Sequence, residues 1–327
     1  MAESELRSFT TDLALAGGER LPGCRLVYAV WGRLNAARDN LVLYPTRFGG
    51  THEQNAFLIG PGMALDPERW CIVVPNMLGN GVSTSPSNTG LGLGFPAVTH
   101  ADNIALQRAM LAADFADAPI ALAVGWSMGA QQAYRWAVEE PGRIARLCAV
   151  CGTARTTPHN RVFLESLIAA LEADPRYGSA EPPVAGLRAA GRIYAGWAYS
   201  QPWLKAALHR GMGYADVTDW LERYWDALFM ARDAGDLTAM WRSWLSNDVA
   251  DGGDLAAALA RITARSTVAT ATTDLYFTPA DCAAEAAMIP GARYTDLDTP
   301  WGHMAGSGQS EADTRAIDAL IGELLAP

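Results

Sequence analysis

The sequence predicts an α/β fold in which a mostly parallel, twisted sheet carries helices on both faces and a helical cap is inserted. Three observations lead to this prediction. Apolar runs alternate with segments of helical spacing, one such run ends in a Gly-x-Ser-x-Gly turn, and the alternation stops over a long helical stretch. With 327 residues, half of them hydrophobic, the chain can build one large core and an insertion.

The predicted strands are six apolar runs, at residues 24–30, 40–44, 70–74, 120–124, 146–150 and 266–272. A further short strand is expected around Asp296. Segments with apolar residues at helical spacing lie between or after these strands, at residues 99–115, 128–140, 279–288 and 311–325. Strands that alternate with helices pair in parallel, and the helices cover both faces of the sheet.

Between residues 153 and 261 no strand pattern appears, and several helical stretches follow one another. This segment holds six of the eleven tryptophans, which are Trp197, Trp203, Trp220, Trp225, Trp241 and Trp244. Aromatic residues at helical spacing usually pack in a core, and we expect a few of these to line a pocket. The sequence therefore predicts a core built from residues 1–152 and 262–327, with residues 153–261 as the helical cap.

Composition narrows the function. The formal net charge of −10 and the lack of a basic run argue against binding of nucleic acid or of an anionic membrane. No apolar run reaches the roughly 18 residues that a membrane span needs, and the acidic amino terminus does not resemble a secretory signal. Five cysteines, an odd number, favour reduced thiols over a disulfide framework. The sequence thus predicts a cytoplasmic protein that acts on a small molecule.

The sequence Gly-Trp-Ser-Met-Gly at residues 125–129 directly follows the strand predicted at residues 120–124. A strand that turns abruptly into a helix exposes the serine hydroxyl, and the two glycines allow the crowded backbone of such a turn. Pro141 ends the helix that follows. The motif predicts Ser127 as a nucleophile, and the alternative is a serine that only caps a helix.

A serine nucleophile needs a base, and one of the five histidines is placed for this role. In α/β-hydrolases the chain order is serine, acid, histidine. His303 follows both Ser127 and the predicted cap, and it lies in a loop before the last amphipathic helix. We therefore expect His303 to accept the serine proton. The alternative is a histidine in a surface loop.

The acid that orients the imidazole is expected at the carboxyl end of the preceding strand. Asp274 closes the strand predicted at residues 266–272 and leads into a helix. Asp298 is nearer to His303 in sequence, but it lies at the exit of the next short strand. We expect Asp274 to be the acid and keep Asp298 as the alternative.

Two backbone N–H groups are expected to stabilise the oxyanion of a tetrahedral intermediate. One belongs to Met128, the residue after the nucleophile. The other is expected in the loop at residues 44–50, where Arg47 occupies the usual position of the second donor. The backbone of Arg47, and not its guanidinium, would take this role.

Neither a redox motif nor a metal site is predicted. Cys148 and Cys151 form a Cys-x-x-Cys pattern, but they belong to a predicted strand, where residues three apart face opposite sides. We expect them to be small buried side chains. The sequence has no His-Glu-x-x-His motif and its histidines are scattered, so no metal or cofactor is expected.

Several motifs in register resemble the homoserine O-acetyltransferase family. They are the segments 58–66, 74–80, 95–99 and 125–132, together with the chain order Ser127, Asp274, His303. The resemblance spans nearly the whole chain. It implies the α/β-hydrolase fold, an acyl group carried on a serine, and a homodimer assembled through the cap.

Two positions depart from the transferases. Where the transferases carry an aspartate after the catalytic histidine, this chain has Met304, and Tyr199 stands where they carry a cap arginine. An amino-acid acceptor would lose both charged anchors. The segments 151–160 and 274–278 instead resemble the esterase branch, whose members hydrolyse alkyl acetates.

These observations predict a serine carboxylesterase that hydrolyses small acyl esters, in particular acetyl esters, through an acyl-serine intermediate. Trp126, Trp197, Tyr199 and Met304 are expected to line its substrate pocket. Two alternatives stay open: transfer of an acetyl group from acetyl-CoA to an alcohol such as homoserine, and a non-catalytic scaffold that binds a small molecule. The same serine chemistry would also cleave a thioester, a lactone or an amide.

Overall fold

A computed structural model of the chain describes residues 3–326, while Met1, Ala2 and Pro327 lie outside the described residues. The strands of this range are β1 (Glu5–Ala14), β2 (Arg20–Trp31), β3 (Leu41–Leu43), β4 (Cys71–Pro75), β5 (Ile120–Trp126), β6 (Arg146–Val150), β7 (Arg265–Ala271) and β8 (Arg293–Leu297). Within residues 3–326 they form one eight-stranded sheet in the order β1-β2-β4-β3-β5-β6-β7-β8. β2 pairs antiparallel with β1 and with β4, and all other neighbours are parallel. The predicted mostly parallel sheet is confirmed.

Strands β2 to β7 coincide with the six apolar runs of the sequence, and β8 is the short strand expected around Asp296. β1 has no counterpart among the predicted strands. It lies at an edge of the sheet, and its side chains alternate between exposed positions and positions that are half-buried or, at Leu13, buried. The strand therefore presents no continuous apolar run. The central strands β3, β4 and β5 are buried along their whole length, as expected for parallel strands covered on both faces.

Helical segments lie in each connection between strands from β3 onward. The α-helices are α1 (Pro86–Thr89), α2 (His100–Asp114), α3 (Met128–Glu139), α4 (Pro158–Glu172), α5 (Val184–Ala198), α6 (Gln201–Lys205), α7 (Val217–Trp220), α8 (Ala227–Met230), α9 (Ala234–Leu245), α10 (Leu255–Leu259), α11 (Pro279–Ala286) and α12 (Glu311–Leu325). Short 3₁₀ segments lie at His52–Leu58, Gly92–Gly94, Leu208–Met212 and Gly302–Ser307, and the π-helical segment Leu221–Asp226 joins α7 to α8. The four predicted helices correspond to α2, α3, α11 and α12. By length and hydropathy, none of the helices within residues 3–326 could cross a membrane.

Local sequence signals explain where several helices begin. α2 starts at a capping box, in which the Thr99 hydroxyl accepts the Asp102 N–H and the Asp102 carboxylate accepts the Thr99 N–H. α4 and α11 each begin with a proline in the first turn, preceded by a threonine whose hydroxyl accepts a backbone N–H. These caps fix the points at which the chain leaves the sheet and enters the helical layers.

The described residues between β6 and β7 form helices α4 to α10 and contribute no strand to the sheet. A single bridge joins Arg155 to Asp248 near the two ends of this segment. Aromatic side chains form the centre of the segment, and the rings of Trp203 and Trp220, both almost fully buried, lie 5.2 Å apart. Helices thus occupy the interval predicted as a cap, while its boundaries at 152/153 and 261/262 stay a prediction.

The order of the sheet brings distant parts of the sequence to one edge. β5, β6 and β7 are neighbouring parallel strands, so their carboxyl ends lie side by side. Ser127 follows β5, Cys151 follows β6, and Asp274 comes shortly after β7. In open parallel sheets, ligands bind outside this edge.

Glu285, on α11, connects the core to the first residues of the cap. Its buried carboxylate accepts the N–H of Ala154 at 2.5 Å and that of Arg155 at 3.1 Å. Arg155 in turn forms an ion pair with Asp248 at 2.9 Å. Burial raises the pKa of Glu285 from its ordinary value of 4.5 to about 8. The folded chain therefore holds a proton on this carboxyl more tightly than the unfolded chain does.

This raised pKa predicts a pH-dependent stability. The contribution of Glu285 is complete below about pH 4.5 and is lost as the pH rises to about 8. Gln at this position is neutral at every pH. We therefore expect the free energy of unfolding of Glu285→Gln to fall less than that of the wild type between about pH 5 and pH 8, by on the order of 1–3 kcal/mol. Urea unfolding at several pH values measures this difference, with exposed Glu19→Gln as the control that keeps the wild-type slope. Parallel curves for wild type and Glu285→Gln would contradict the prediction.

Candidate active site

Ser127 lies in the turn between β5 and α3, with φ 59° and ψ −128°. This left-handed backbone is unusual for a residue with a side chain and marks a strained turn. The turn can close because the residues two positions before and after Ser127, Gly125 and Gly129, lack Cβ atoms. A Cβ on Gly125 would lie 2.2 Å from the backbone of Gly129, and a Cβ on Gly129 would lie 2.6 Å from the carbonyl oxygen of Pro45. The two glycines of the motif are therefore required by packing.

His303 bridges Ser127 and Asp274. Its Nδ1 lies 2.8 Å from Asp274 Oδ2, and its Nε2 lies 2.9 Å from Ser127 Oγ. Because a carboxylate oxygen only accepts hydrogen bonds, Nδ1 carries the proton and Nε2 is free to accept from the serine hydroxyl. All three side chains are buried. This arrangement can take a proton from the serine and stabilise the imidazolium that results.

The carboxylate of Asp274 is held by its own turn. Its Oδ1 accepts the backbone N–H groups of Tyr276, at 2.8 Å, and Phe277, at 3.1 Å, which leaves Oδ2 directed to the imidazole. Asp298, the alternative acid, is exposed and lies beyond the end of β8. The structure thus brings Asp274, and not Asp298, to His303.

Aromatic rings enclose the imidazole of His303. The ring centroids of Tyr276, Trp126 and Phe277 lie 4.8, 5.0 and 5.4 Å from it. These rings exclude water and lower the local dielectric, which strengthens the hydrogen bonds of the imidazole.

The loop that carries His303 is fixed to both the core and the cap. The N–H of Gly302 donates to the Thr273 hydroxyl at 3.1 Å, and the Ser200 hydroxyl of the cap donates to the Pro300 carbonyl. Gly302 has φ 59°, and a Cβ there would lie 3.0 Å from the backbone nitrogen of Ser200. The position of the imidazole therefore depends on direct contact between this loop and the cap.

Two backbone amides near Ser127 are free to bind an anion. Met128 is the first residue of α3, and Arg47 lies in the loop after β3. Within residues 3–326, neither amide has a hydrogen-bond partner. The loop is held in place because Gln132 Nε2 donates to the Thr46 carbonyl at 3.0 Å. Such amides match the two donors predicted for an oxyanion, and their role stays a prediction.

A cavity of about 100 Å³ opens beside Ser127 and His303. Its walls are mainly apolar, with contributions from Phe48, Tyr194, Trp225, Leu228 and Phe229. Drug-sized ligands occupy sites of about 300–1,000 Å³, so this cavity suits a small substrate.

The four residues expected to line the pocket divide into two pairs. Trp126 and Met304 line the cavity. Trp197 and Tyr199 are not among its lining residues, because cap packing turns them elsewhere. The Trp197 ring packs on His159, with 4.4 Å between the ring centroids. Tyr199 is fully buried, and its hydroxyl donates to Gln309 Oε1 at 2.6 Å.

Sequence reasoning missed several cavity residues, among them the polar residues Gln54, Tyr224 and Arg232. It also considered Arg47 for its backbone only, although the Arg47 side chain lines the cavity too. No motif marks these positions. The one available signal was the run of aromatic residues in the cap, which does not say which side chains face the serine.

Cys151 lies behind the acid. One ligand-type atom each of Cys151, Asp274 and His303 lies within 4.8 Å of the other two. Both nitrogens of His303 are engaged, one by Asp274 and one by Ser127, so the geometry fits proton transfer better than metal coordination. Burial raises the pKa of the Cys151 thiol well above its ordinary value. Cys148 and Cys151 are buried free thiols.

The chain is similar to known hydrolases and acetyltransferases along most of its length. A family model described as alpha/beta hydrolase fold matches residues 39–306. The chain is 37% identical over 324 residues to an ethyl acetate hydrolase of Pseudomonas veronii, covering 96% of this chain and 93% of the relative. The crystal structure of an acetylester hydrolase from Corynebacterium glutamicum superimposes with a TM-score of 0.94 at 35% identity, over 99% of this chain and 96% of that chain. A homoserine O-acetyltransferase of Thermobifida fusca is 30% identical, over 96% of this chain and 91% of the relative. The chain therefore belongs to the α/β-hydrolase fold family, and its predicted resemblance to homoserine O-acetyltransferases and their esterase relatives is confirmed.

Proposed function

We propose that the protein hydrolyses small acyl esters, acetyl esters in particular, through an acyl-serine intermediate on Ser127. The observation that carries the proposal is the His303 imidazole, which reaches Ser127 Oγ at 2.9 Å and Asp274 at 2.8 Å. The relatives support the choice of substrate, since one is an ethyl acetate hydrolase that is 37% identical to this chain.

In the first half of the reaction, Ser127 Oγ attacks the ester carbonyl while His303 Nε2 takes the hydroxyl proton. Asp274 keeps Nδ1 protonated and stabilises the imidazolium. The tetrahedral intermediate then collapses, the C–O bond to the alcohol breaks, and His303 gives its proton to the departing alcohol. An acyl group is left on Ser127.

In the second half, water replaces the alcohol. His303 removes a proton from the water as it attacks the acyl carbonyl, and the second tetrahedral intermediate releases the carboxylic acid and Ser127. The amides of Met128 and Arg47 would stabilise the oxyanion in both halves, a role in which one donor is worth about 10²–10³ in turnover. No step needs a metal or a cofactor.

The size of the cavity supports a small acyl group. The cavity measures about 100 Å³, and Phe48 and Phe229 present apolar rings to it. Trp126 and Met304 close the side next to His303. A compact apolar pocket of this kind favours short acyl chains over long ones.

Transfer of an acetyl group from acetyl-CoA to an alcohol such as homoserine is the second candidate, because homoserine O-acetyltransferases are also relatives. Two observations argue against it. Apolar Met304 follows His303 and lines the cavity, and Tyr199, which stands where the transferases carry an arginine, is buried away from the cavity. A non-catalytic scaffold is the third candidate, and the reactivity of Ser127 tests it.

We also propose a cytoplasmic homodimer without a metal or cofactor, built from a core of residues 1–152 and 262–327 and a cap of residues 153–261. The resemblance to the homoserine O-acetyltransferases supports the dimer. All five cysteines lie among the described residues, and each is a buried free thiol, which supports a reducing location.

Ser127→Ala tests the nucleophile. We expect the variant to lose fluorophosphonate labelling and to hydrolyse ethyl acetate at least about 10⁴-fold more slowly than the wild type. Ser166→Ala, at an exposed position on α4, is the matched control and should label and hydrolyse normally. Labelling of folded Ser127→Ala at the wild-type rate would overturn the proposal, and an unreactive wild type would favour the scaffold.

Asp274→Asn and Asp298→Asn form a second matched pair. An asparagine at position 274 cannot hold the imidazole in the tautomer that accepts from Ser127, so we expect kcat to fall by roughly 10³–10⁴. Asp298 is exposed, and its variant should keep the wild-type kcat. Loss of activity in Asp298→Asn with retention in Asp274→Asn would reverse the assignment of the acid.

An acyl-acceptor assay separates hydrolysis from transfer. The wild type is incubated with acetyl-CoA and a panel of alcohols that includes homoserine, and in parallel with p-nitrophenyl acetate in water. We expect rapid release of acetate from the ester and little new ester from acetyl-CoA, because Met304 stands where the transferases carry the aspartate after the catalytic histidine. Efficient ester formation with negligible hydrolysis would overturn the esterase proposal in favour of the transferase.

A further inference from the structure

Two arginine side chains, Arg47 and Arg232, line the cavity that holds Ser127 and His303. Within residues 3–326, no ion pair involves either of them. Other arginines of the cap behave differently: Arg188 and Arg192 both pair with Asp226, each at 2.8 Å. The cavity therefore contains two cationic groups without an anionic partner.

Both guanidinium groups are held in place by the loop after β3. The Arg47 guanidinium lies 4.8 Å from the Trp126 ring centroid and donates to the Phe48 carbonyl at 2.9 Å. The Arg232 guanidinium carbon lies 3.2 Å from the position that a Cβ on Gly49 would occupy. Phe48 and Gly49 thus bring the two side chains, one from the core and one from the cap, to the same wall.

The Asp236 carboxylate acts on Arg232 from a distance, raising its pKa, but forms no ion pair with it. Asp236 accepts two hydrogen bonds from Ser87, one from the N–H at 2.9 Å and one from the hydroxyl at 2.6 Å. It lies beyond ion-pair distance of Arg232. Burial lowers the pKa of both arginines, and the charge of Arg47 lowers that of Arg232 further. Arginine keeps its charge under such conditions, and among the described residues no carboxylate lies within 4.0 Å of either guanidinium.

Both arginines are half-buried. Partly buried cationic groups without an ion-pair partner are costly, and a ligand that supplies an anion would reduce this cost. The chain has more acidic than basic residues, with a net charge of −10, and yet none of its described carboxylates pairs with Arg47 or Arg232. A guanidinium presents parallel N–H donors that match the two oxygens of a carboxylate.

We propose that Arg47 and Arg232 form an anion subsite beside Ser127, and that the preferred esters of this protein carry a carboxylate. The carboxylate belongs either to the acyl chain, as in a half-ester of a dicarboxylic acid, or to the alcohol, as in the acetate of a hydroxy acid. This inference rests on the proposed ester hydrolysis and names its substrate class. The carboxylate takes no part in bond making, and the products are the acid and the alcohol of the ester.

Matched pairs of esters test the subsite. For the acyl chain, the pair is monoethyl succinate and its neutral amide, ethyl succinamate. For the alcohol, the pair is 3-acetoxypropanoate and 3-acetoxypropanamide. Each pair differs only in charge at nearly constant size. We expect the wild type to favour the carboxylate in one pair by roughly tenfold or more in kcat/KM, because charge-assisted hydrogen bonds are the strong ones. The pair that shows the preference identifies the part of the ester that carries the anion.

Substitution of the two arginines tests which side chain binds the substrate carboxylate. We expect Arg47→Gln and Arg232→Gln each to lower the carboxylate-to-amide ratio by roughly tenfold, and the double variant to bring it near unity. Arg47→Lys and Arg232→Lys should keep part of the preference, since they keep the charge but lose the planar fork. Arg210→Gln, at an exposed position of the cap, is the control and should keep the wild-type ratio. Unchanged ratios in both glutamine variants would overturn the proposal.

The outcomes separate this inference from the proposed function. Hydrolysis of ethyl acetate together with ratios near unity in both pairs would overturn the anion subsite alone. If no ester is hydrolysed, the proposed function fails, and the subsite is then judged by calorimetric binding of both ester pairs to Ser127→Ala. Binding of a carboxylate at least about tenfold tighter than its amide would support the subsite, and equal binding in both pairs would overturn it.

Discussion

The active site depends on one backbone constraint, the tight turn at Ser127. A residue with φ 59° costs on the order of 1–3 kcal/mol and persists only where its surroundings hold it. Here they do so through contacts that leave no room for a Cβ on Gly125 or Gly129. The same closeness brings the loop of Arg47 against the start of α3. The turn that exposes the hydroxyl therefore also assembles the surface on which a carbonyl oxygen would lie.

The parallel sheet then supplies the partners of the serine from distant parts of the chain. Adjacent strands end at a common edge, so the acid after β7 and the loop after β8 come together without a long excursion. Backbone hydrogen bonds set the final orientation. The N–H groups of Tyr276 and Phe277 fix the Asp274 carboxylate, and Thr273 receives the N–H beside His303. Placement by backbone contacts, and not by flexible side chains, limits how far the reacting atoms can drift.

The sequence predicts the residues that strand order places, but not those that side-chain packing places. The proximity of Ser127, Asp274 and His303 is a consequence of strand order, which apolar runs and chain order reveal. The helices of the cap are not ordered by strand pairing. Tyr199 directly follows α5, and Arg232 lies in the turn between α8 and α9. Packing of aromatic side chains decides how these cap helices are oriented, and no local sequence pattern states which residues face the serine. Edge strand β1 was not predicted for a related reason, since its inward-facing positions include the polar residues Arg7 and Thr11 and its sequence has no continuous apolar run.

The contact between Gly302 and Ser200 has a consequence for how the enzyme opens. A cap that swung away as one body would have to break the hydrogen bond from Ser200 to Pro300 and would disturb the loop that carries the imidazole. Opening the cap to admit a substrate would then displace the His303 imidazole from its hydrogen bonds with Ser127 and Asp274. The cavity beside Ser127 is lined both by residues of the cap and by the loop of Arg47, so a small molecule can bind there while the contact between Gly302 and Ser200 stays in place. The size limit on substrates would then follow from the volume of this cavity, about 100 Å³, with the cap in place.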